Sequence, residues 1–384
     1  GSTLWNSEEY KMPQVKVPFY GHVRQYHNLQ AQLDDAIHTV LESSQYVMGP
    51  TLQRFEQELA SYFGMQYSVG VNSGTDALWL AFLALGIKPG DEVITTANTF
   101  FATAEAIWIV DAKPVFVDID PRTRNIDPNK IEAAITPRTR AIVPVHLYGL
   151  CADMPAIHAI ARRHNLLVIE DSAQAIDGHG DGWKQGEFSD AVCTSFIIQK
   201  NLGTFGDGGA VLTNSEEVAT AIRRLRNHGS LARSVHSMGY NSRLDDLHAA
   251  ILSVKLRYVS EWTDRRRALA ARYAQGLKDT SLTLPYEPPG YRHVYHLYVV
   301  EHPRRDSLEQ FLLEAGVDAK LHYPIAIHQQ EGYPWGKLAD LCPQVPYSEQ
   351  NAATCLSLPM FPELTDEEVD YVIDRCLAWD KEQP

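Results

Sequence analysis

Cysteine is sparse in this 384-residue chain, long apolar runs are missing, and positive charge is outnumbered. The five cysteines (Cys151, Cys193, Cys342, Cys355 and Cys376) are scattered, odd in number and never spaced C-x-x-C. A disulfide framework is therefore not expected, and a reducing compartment fits better. No stretch nears the roughly 20 apolar residues of a membrane span. The opening GSTLWNSEEYKMPQ lacks the apolar centre of a signal peptide, and Gly1-Ser2 reads as an expression scar. The expectation is a cytoplasmic protein with no membrane partner. A net charge of −14 argues against nucleic acid, and the short arginine-rich stretches 223–233 and 264–273 read as solvated helix faces. HExxH and GxSxG are absent. His322 and His328 stand six apart across a proline-containing segment, which suits no closed zinc set, so no metal is expected.

What is present is apolar pattern. Hydrophobic residues make up 45%, ample for a large core. Helical spacing marks 27–46, 51–63 and 73–87. Between 67 and 214, short apolar runs at 67–71, 91–96, 113–120, 139–148, 166–171, 191–196 and 208–214 read as strands, with helices expected at 99–110, 128–135 and 154–165. Apolar strands alternating with helices imply an α/β fold, a mostly parallel central sheet covered on both faces. The pattern changes after about 215. Long helical stretches (245–277, then 306–315 and 365–380) with strands at 295–301 and 316–322 suggest a smaller C-terminal α+β domain. We expect residues 1–255 to form an N-terminal segment plus the large domain, and 256–384 the small one.

Ligands of such sheets collect at the carboxyl ends of strands. Three polar stretches fall there: Asn72–Thr75, Asp171–Gln174 and Ser195–Lys200. Lys200, inside SFIIQKNLGTFGDGGAVLTN, stands 29 positions after Asp171, which closes the run LLVIED. An amine and a carboxylate so placed are what holding pyridoxal 5'-phosphate requires. The lysine binds the cofactor aldehyde covalently and moves a proton to and from the substrate carbon. The carboxylate keeps the pyridine nitrogen protonated, so the ring draws in electrons. Ser73, Gly74 and Thr75 open a helix after a strand and so make an anion site for a phosphate, to which Ser195 could add a hydroxyl. Phe100 and Ala173 are candidates for the two faces of the ring. Each residue alone has a plainer reading: Lys200 a surface lysine, Asp171 and Ser73 ordinary caps, Phe100 core. GTFGDGG does not lead from strand to helix as a dinucleotide loop does, so a nicotinamide dehydrogenase is weakly supported. His328 is a candidate substrate residue.

With these residues assembled, the chain resembles the DegT/DnrJ/StrS family of nucleotide-sugar aminotransferases from about Val17 to the last helix. The likeness rests on YVMGPTLQRFEQELASYFG, NSGTDAL, GDEVITTANTFFATAEAI, VIEDSAQA, the Lys200 run, GYNSRLDDLHAAIL, LHYPIAIHQ and LSLPMFPELTDEEV. The resemblance implies the aspartate-aminotransferase fold (PLP fold type I), with Lys200 carrying pyridoxal 5'-phosphate and Asp171 facing its ring nitrogen. It places Gln174 against the phenolic oxygen, Phe100 on the ring, and Gly74, Thr75 and Ser195 on the phosphate. Asn241 would reach the phosphate from a second subunit, in a homodimer with shared active sites, and Arg243 is a candidate for substrate by its nearness to Asn241. The implied reaction moves an amine from L-glutamate to a keto-sugar nucleotide, with C3 of a deoxy-keto-hexose favoured over C4. The product would be an amino sugar for an antibiotic or a surface glycan. A keto-cyclitol or other keto substrate of a natural-product pathway is the alternative, and a non-catalytic ligand sensor is a further class, disfavoured by the intact Lys200 and Asp171. Two departures stand out. Ile198-Gln199 replaces the small pair the family often has before the lysine, which bears on substrate identity, and Ser172 replaces a common alanine. A dehydrating branch carries histidine where Lys200 stands.

Overall fold

The computed structural model describes residues 14–330 and 343–384; Gly1-Ser2 and Cys342 lie outside them. Seven short strands form the central sheet: β1 (Tyr67–Val71), β2 (Glu92–Thr96), β3 (Lys113–Val117), β4 (Thr139–Ile142), β5 (Leu167–Asp171), β6 (Ala191–Ser195) and β7 (Gly209–Thr213). Their order is β1-β7-β6-β5-β4-β2-β3. β7 runs antiparallel to β1 and β6; the remaining pairs are parallel. The strands are buried on both faces, as their unbroken apolar runs require.

Alternate residues feed opposite layers. Val93, Ala141, Ile169, Cys193 and Val211 pack with α3 (Gly74–Ala84), α4 (Ala102–Ile109) and α6 (Glu216–Leu225). On the other face, Ile94, Ile142 and Val168 meet α5 (Met154–His164), while Val192, Ala210 and Leu212 meet α2 (Pro50–Phe63) and α7 (Asp246–Leu256). α1 (His22–Ser43) lies against α7 through Leu29, Leu33, Ile251 and Val254.

A second core draws on α8 (Val259–Leu277), α9 (Arg305–Glu314) and α11 (Asp366–Lys381), with a two-stranded antiparallel sheet of β8 (Tyr298–Glu301) and β9 (Cys355–Leu358). Val17 from the far end of the chain belongs to this core, and the backbone N–H groups of Lys16 and Val17 donate to the carbonyl of Gly316. α10 (Pro346–Thr354) precedes β9. Among the described residues no helix is long and apolar enough to cross a membrane.

Several expected elements differ. The stretch 128–135 forms two 3-10 turns, Pro128–Lys130 and Glu132–Ala134, because Ile131 is its one buried residue and so short a segment gains little from α nucleation. The run 139–148 is strand only to Ile142, since Pro144 has no N–H to donate to the ladder. The chain still follows the sheet edge, with Asp171 N–H donating to Pro144 O and His146 N–H to Asp171 O. Residues 316–322 form isolated bridges, Val17 with Val317 and Lys320 with Ser357; the partner of β8 is β9, later in the chain in the short run CLSL. The long stretch 245–277 breaks at Arg257–Tyr258 into α7 and α8.

Candidate active site

β1, β5 and β6 point the same way, so the residues after them gather at one edge of the sheet. A cavity of about 330 Å³ opens there. That volume is at the lower end for small-molecule sites, about 300–1,000 Å³. Lys200, Asp171, Ala173, Gln174 and Phe100 line it, and so do Ser73, Gly74, Thr75 and Ser195.

At one end stands the start of α3. Ser73 caps it, its Oγ accepting the N–H of Asp76 at 3.0 Å. The N–H groups of Gly74 and Thr75 belong to the first turn, where a helix supplies no internal acceptor, so they are available to an anion. Two glycines let this end close up. A Cβ on Gly74 would come within 2.7 Å of Ser195 Cβ, and one on Gly209 within 2.3 Å of the Ser73 carbonyl oxygen.

Asp171 ends β5 and is buried, at 6% exposure. Its Oδ2 accepts the Thr103 hydroxyl at 2.8 Å and its Oδ1 the Ala173 N–H at 3.2 Å. Burial pushes its carboxyl above the ordinary value, against those hydrogen bonds and the charge of Lys200. Behind it, His146 lies between the Ala152 N–H, which donates to Nδ1, and Glu170, which its Nε2 meets at 2.8 Å. The accepted bond at Nδ1 places the ring proton on Nε2.

Lys200 sits on a turn whose N–H returns to Ile197 O at 2.9 Å. The turn is drawn tight at Gly203, where a Cβ would meet the carbonyl oxygens of Ile198 and Ile197 at 2.5 and 2.7 Å. Burial lowers the Lys200 amine to about 8, while Asp171 pulls it back up. Gln174 accepts the Tyr148 N–H on Oε1 and donates from Nε2 to the Tyr323 hydroxyl at 3.0 Å. Phe100 is 55% exposed and tilts against Tyr323, with ring centroids 5.7 Å apart.

Three expected residues lie elsewhere. His328 does not line the cavity. Its Nε2 meets Glu349 at 2.8 Å, which ties the turn Ile327–Gln329 to α10. Asn241 is exposed and bridges Asn227, and Arg243 donates to Asn227 Oδ1 at 3.1 Å. Within one chain neither lines the cavity. Ser242 between them does reach α3: its Oγ donates to Asp76 at 2.7 Å and accepts the Asn72 N–H at 3.1 Å.

Other lining residues were given no role in the site from sequence: Tyr20, Thr103, His296, His322 and Tyr323. Burial, followed by the charge of Lys200, lowers both histidines, His296 well below the ordinary value and His322 to about 4. Both rings are therefore neutral at pH 7. Burial raises the Tyr323 phenol, which keeps its proton. Thr103 could have been noticed as a lone hydroxyl in the buried apolar helix ATAEAIWI. No group of three or more His, Cys, Asp or Glu side chains that could hold a metal occurs among the described residues.

Residues 27–377 match the model of the DegT/DnrJ/EryC1/StrS aminotransferase family. Over 342 residues the chain is 45% identical to a UDP-N-acetyl-3-dehydro-alpha-D-glucosamine 3-aminotransferase of Acidithiobacillus ferrooxidans, covering 89% of this chain and 92% of that protein. It is 43% identical over 371 residues to a dTDP-3-amino-3,4,6-trideoxy-alpha-D-glucose transaminase of Streptomyces venezuelae, covering 95% and 96%. Among solved structures, NtdA of Bacillus subtilis with bound cofactor PMP superposes with a TM-score of 0.89 at 36% identity, covering 97% of this chain and 87% of that one.

Proposed function

This chain belongs to the DegT/DnrJ/EryC1/StrS aminotransferase family and has its PLP type I fold, and on that footing we propose that it transfers an amine from L-glutamate to C3 of a keto-sugar nucleotide with pyridoxal 5'-phosphate in the cavity around Lys200. The observation that carries this reading is the joint placement of a burial-lowered lysine amine, a buried carboxylate and a glycine-closed helix start around one cavity. The donor set fits the group: unclaimed N–H groups for a phosphate, a carboxylate for a cationic ring nitrogen, and an amine for an aldehyde.

When bound, pyridoxal 5'-phosphate supplies an electron sink for the pair left behind as a C–H bond beside nitrogen breaks. The protein does the rest. Gly74, Thr75 and Ser195 would hold the phosphate, and Asp171 would favour the charged form of the ring nitrogen. Gln174, tied to Tyr148 and Tyr323, would stand beside the ring, and Ala173 and Phe100 would bound it. Lys200 takes the proton from substrate carbon and returns it. With its amine near 8, about a tenth of the unengaged side chain is neutral at pH 7, against well under a thousandth for an ordinary lysine. The neutral His296 and His322 add no positive charge that would hold that proton back.

The named activities of both sugar relatives concern position 3 of the ring, one on UDP and one on dTDP, which supports C3 and leaves the nucleotide to experiment. A homodimer completes the site. Asn241 and Arg243 adjoin the α3 start through Ser242, and the segment before them exposes Leu231, Val235 and Met238, the last at 88%. Apolar side chains so exposed beside a site suit coverage by a second copy. We place the seam between the two domains at the α7–α8 break, near residue 256.

The test is product analysis. Holoenzyme with glutamate and a panel of 3-keto and 4-keto dTDP- and UDP-hexoses, plus keto-cyclitols, should give a 3-amino sugar nucleotide by NMR. An aminated cyclitol alone would replace the substrate reading, and no aminated product with any acceptor would remove it.

A further inference from the structure

Asp171 is not held by its own strand alone. Thr103 on α4 is 1% exposed, and its hydroxyl donates to Asp171 Oδ2 at 2.8 Å. A hydroxyl has one proton to give. With that proton on the carboxylate, Thr103 meets Thr99 Oγ1, 3.1 Å away, as acceptor, so the Thr99 hydroxyl donates to it. The two threonines, at i and i+4, form a one-way row of donors that ends on a buried anion. We propose that Thr103 is a positioning residue, which with Thr99 behind it holds the Asp171 carboxylate ionised and in a single orientation toward the cavity.

The physical need is clear from the surroundings. Burial favours the neutral acid at Asp171, and the opposing influences are the Thr103 hydroxyl, the Ala173 N–H, Lys200 and His146. Cys193 and Tyr323 also feel its charge, and Tyr20, Asp207, His296 and His322 line the same cavity. A neutral Asp171 could not favour a charged ring nitrogen. The Ala173 N–H is fixed by the backbone, and Lys200 becomes engaged once it carries the cofactor. His146 is taken up by Glu170 and the Ala152 N–H, which leaves the Thr103 hydroxyl as the side-chain group that donates directly to the carboxylate. Its value to a pyridine-type ring rests on the function proposed above; its hold on Asp171 does not.

The experiment therefore has two arms. In the cofactor-free protein labelled with 13C at the aspartate carboxyl, the Asp171 resonance is identified by its loss in Asp171→Asn and titrated by NMR. Thr103→Val keeps the shape and removes the proton, and should move the midpoint up by about one unit or more, a tenfold effect, while Thr103→Ser restores it. An unchanged midpoint in Thr103→Val overturns the proposal. If that variant does not fold, Thr99→Val should give a smaller shift of the same sign, and no shift overturns it equally. In the second arm the protein is reconstituted with 15N-labelled pyridoxal phosphate. The ring nitrogen should lose its proton at lower pH in Thr103→Val than in wild type, and identical behaviour overturns the role toward the ring. Wild-type protein that takes up no cofactor would sink the functional reading, with the first arm still deciding for Thr103.

Discussion

Lys200 and Asp171 act on each other in opposite senses, which gives a sharp forecast. The carboxylate raises the lysine, so Asp171→Ala should lower the amine below about 8. In cofactor-free protein, capture of an amine-directed reagent at Lys200, read by peptide mass, should rise with pH through a midpoint near 8 in wild type and earlier in the variant. An ordinary lysine would show its midpoint near ~10.4, and that value in wild type would mean the side chain is not buried as described. The same variant should nonetheless lose turnover by orders of magnitude with a near-native melting temperature, because the anion for the ring nitrogen is gone. Lys200→Ala should form no borohydride-stable adduct with pyridoxal phosphate; an adduct elsewhere with full activity would dismiss the assignment. Lys200, Asp171 and the helix start were legible because each stands at the end of an apolar strand. Tyr20 and His296 were not, since the tertiary fold brings them in from distant segments whose local pattern says nothing of a cavity; His322 and Tyr323 stood in LHYPIAIHQ without a role.

At the scale of elements, the start of α3 depends on close backbone approach. Gly209→Ala would push a methyl group against the Ser73 carbonyl oxygen, 2.3 Å away and unable to yield without moving the helix. Overpacking of this kind costs about 1–3 kcal/mol. The expected result is a lower melting temperature together with cofactor affinity weakened tenfold or more, measured by equilibrium dialysis. A useful contrast is Thr365→Ala. Thr365 and Glu368 form a capping box at the start of α11, so its loss should cost about 1 kcal/mol. Cofactor binding should not change, since that helix lies in the second core. The strands between 67 and 213 could be read because their apolar runs are continuous. β9 could not, being four residues long and recognisable only by its pairing with β8. Pro144 ended β4 early, although the apolar letters continue past it.

For the whole molecule, the decisive forecast concerns two copies. Lys200→Ala and Asn241→Ala proteins, each impaired alone, should regain part of the activity when mixed and allowed to exchange subunits, since one of the two sites in a hybrid would then be intact. No recovery despite proven exchange would show that each chain builds its site unaided. The mostly parallel sheet and the helical C-terminal part were readable from the alternation of patterns. The membership of Val17 in the second core was not: Val15, Val17 and Phe19 alternate, but so short a run does not say which core it joins.

That valine has a consequence for how the protein is made. Ribosomes release chains from the first residue onward, and early segments fold as they emerge. Here the opening segment must wait. Lys16 and Val17 bind Gly316, and Arg24 meets Glu368 at 2.7 Å, so their partners emerge only after the whole central sheet. Tyr20, a wall of the cavity, rides on the same stretch. A nascent chain stalled after the central sheet would hold Lys200 in an unfinished, open trough, which Tyr20 could wall only once those later partners had emerged.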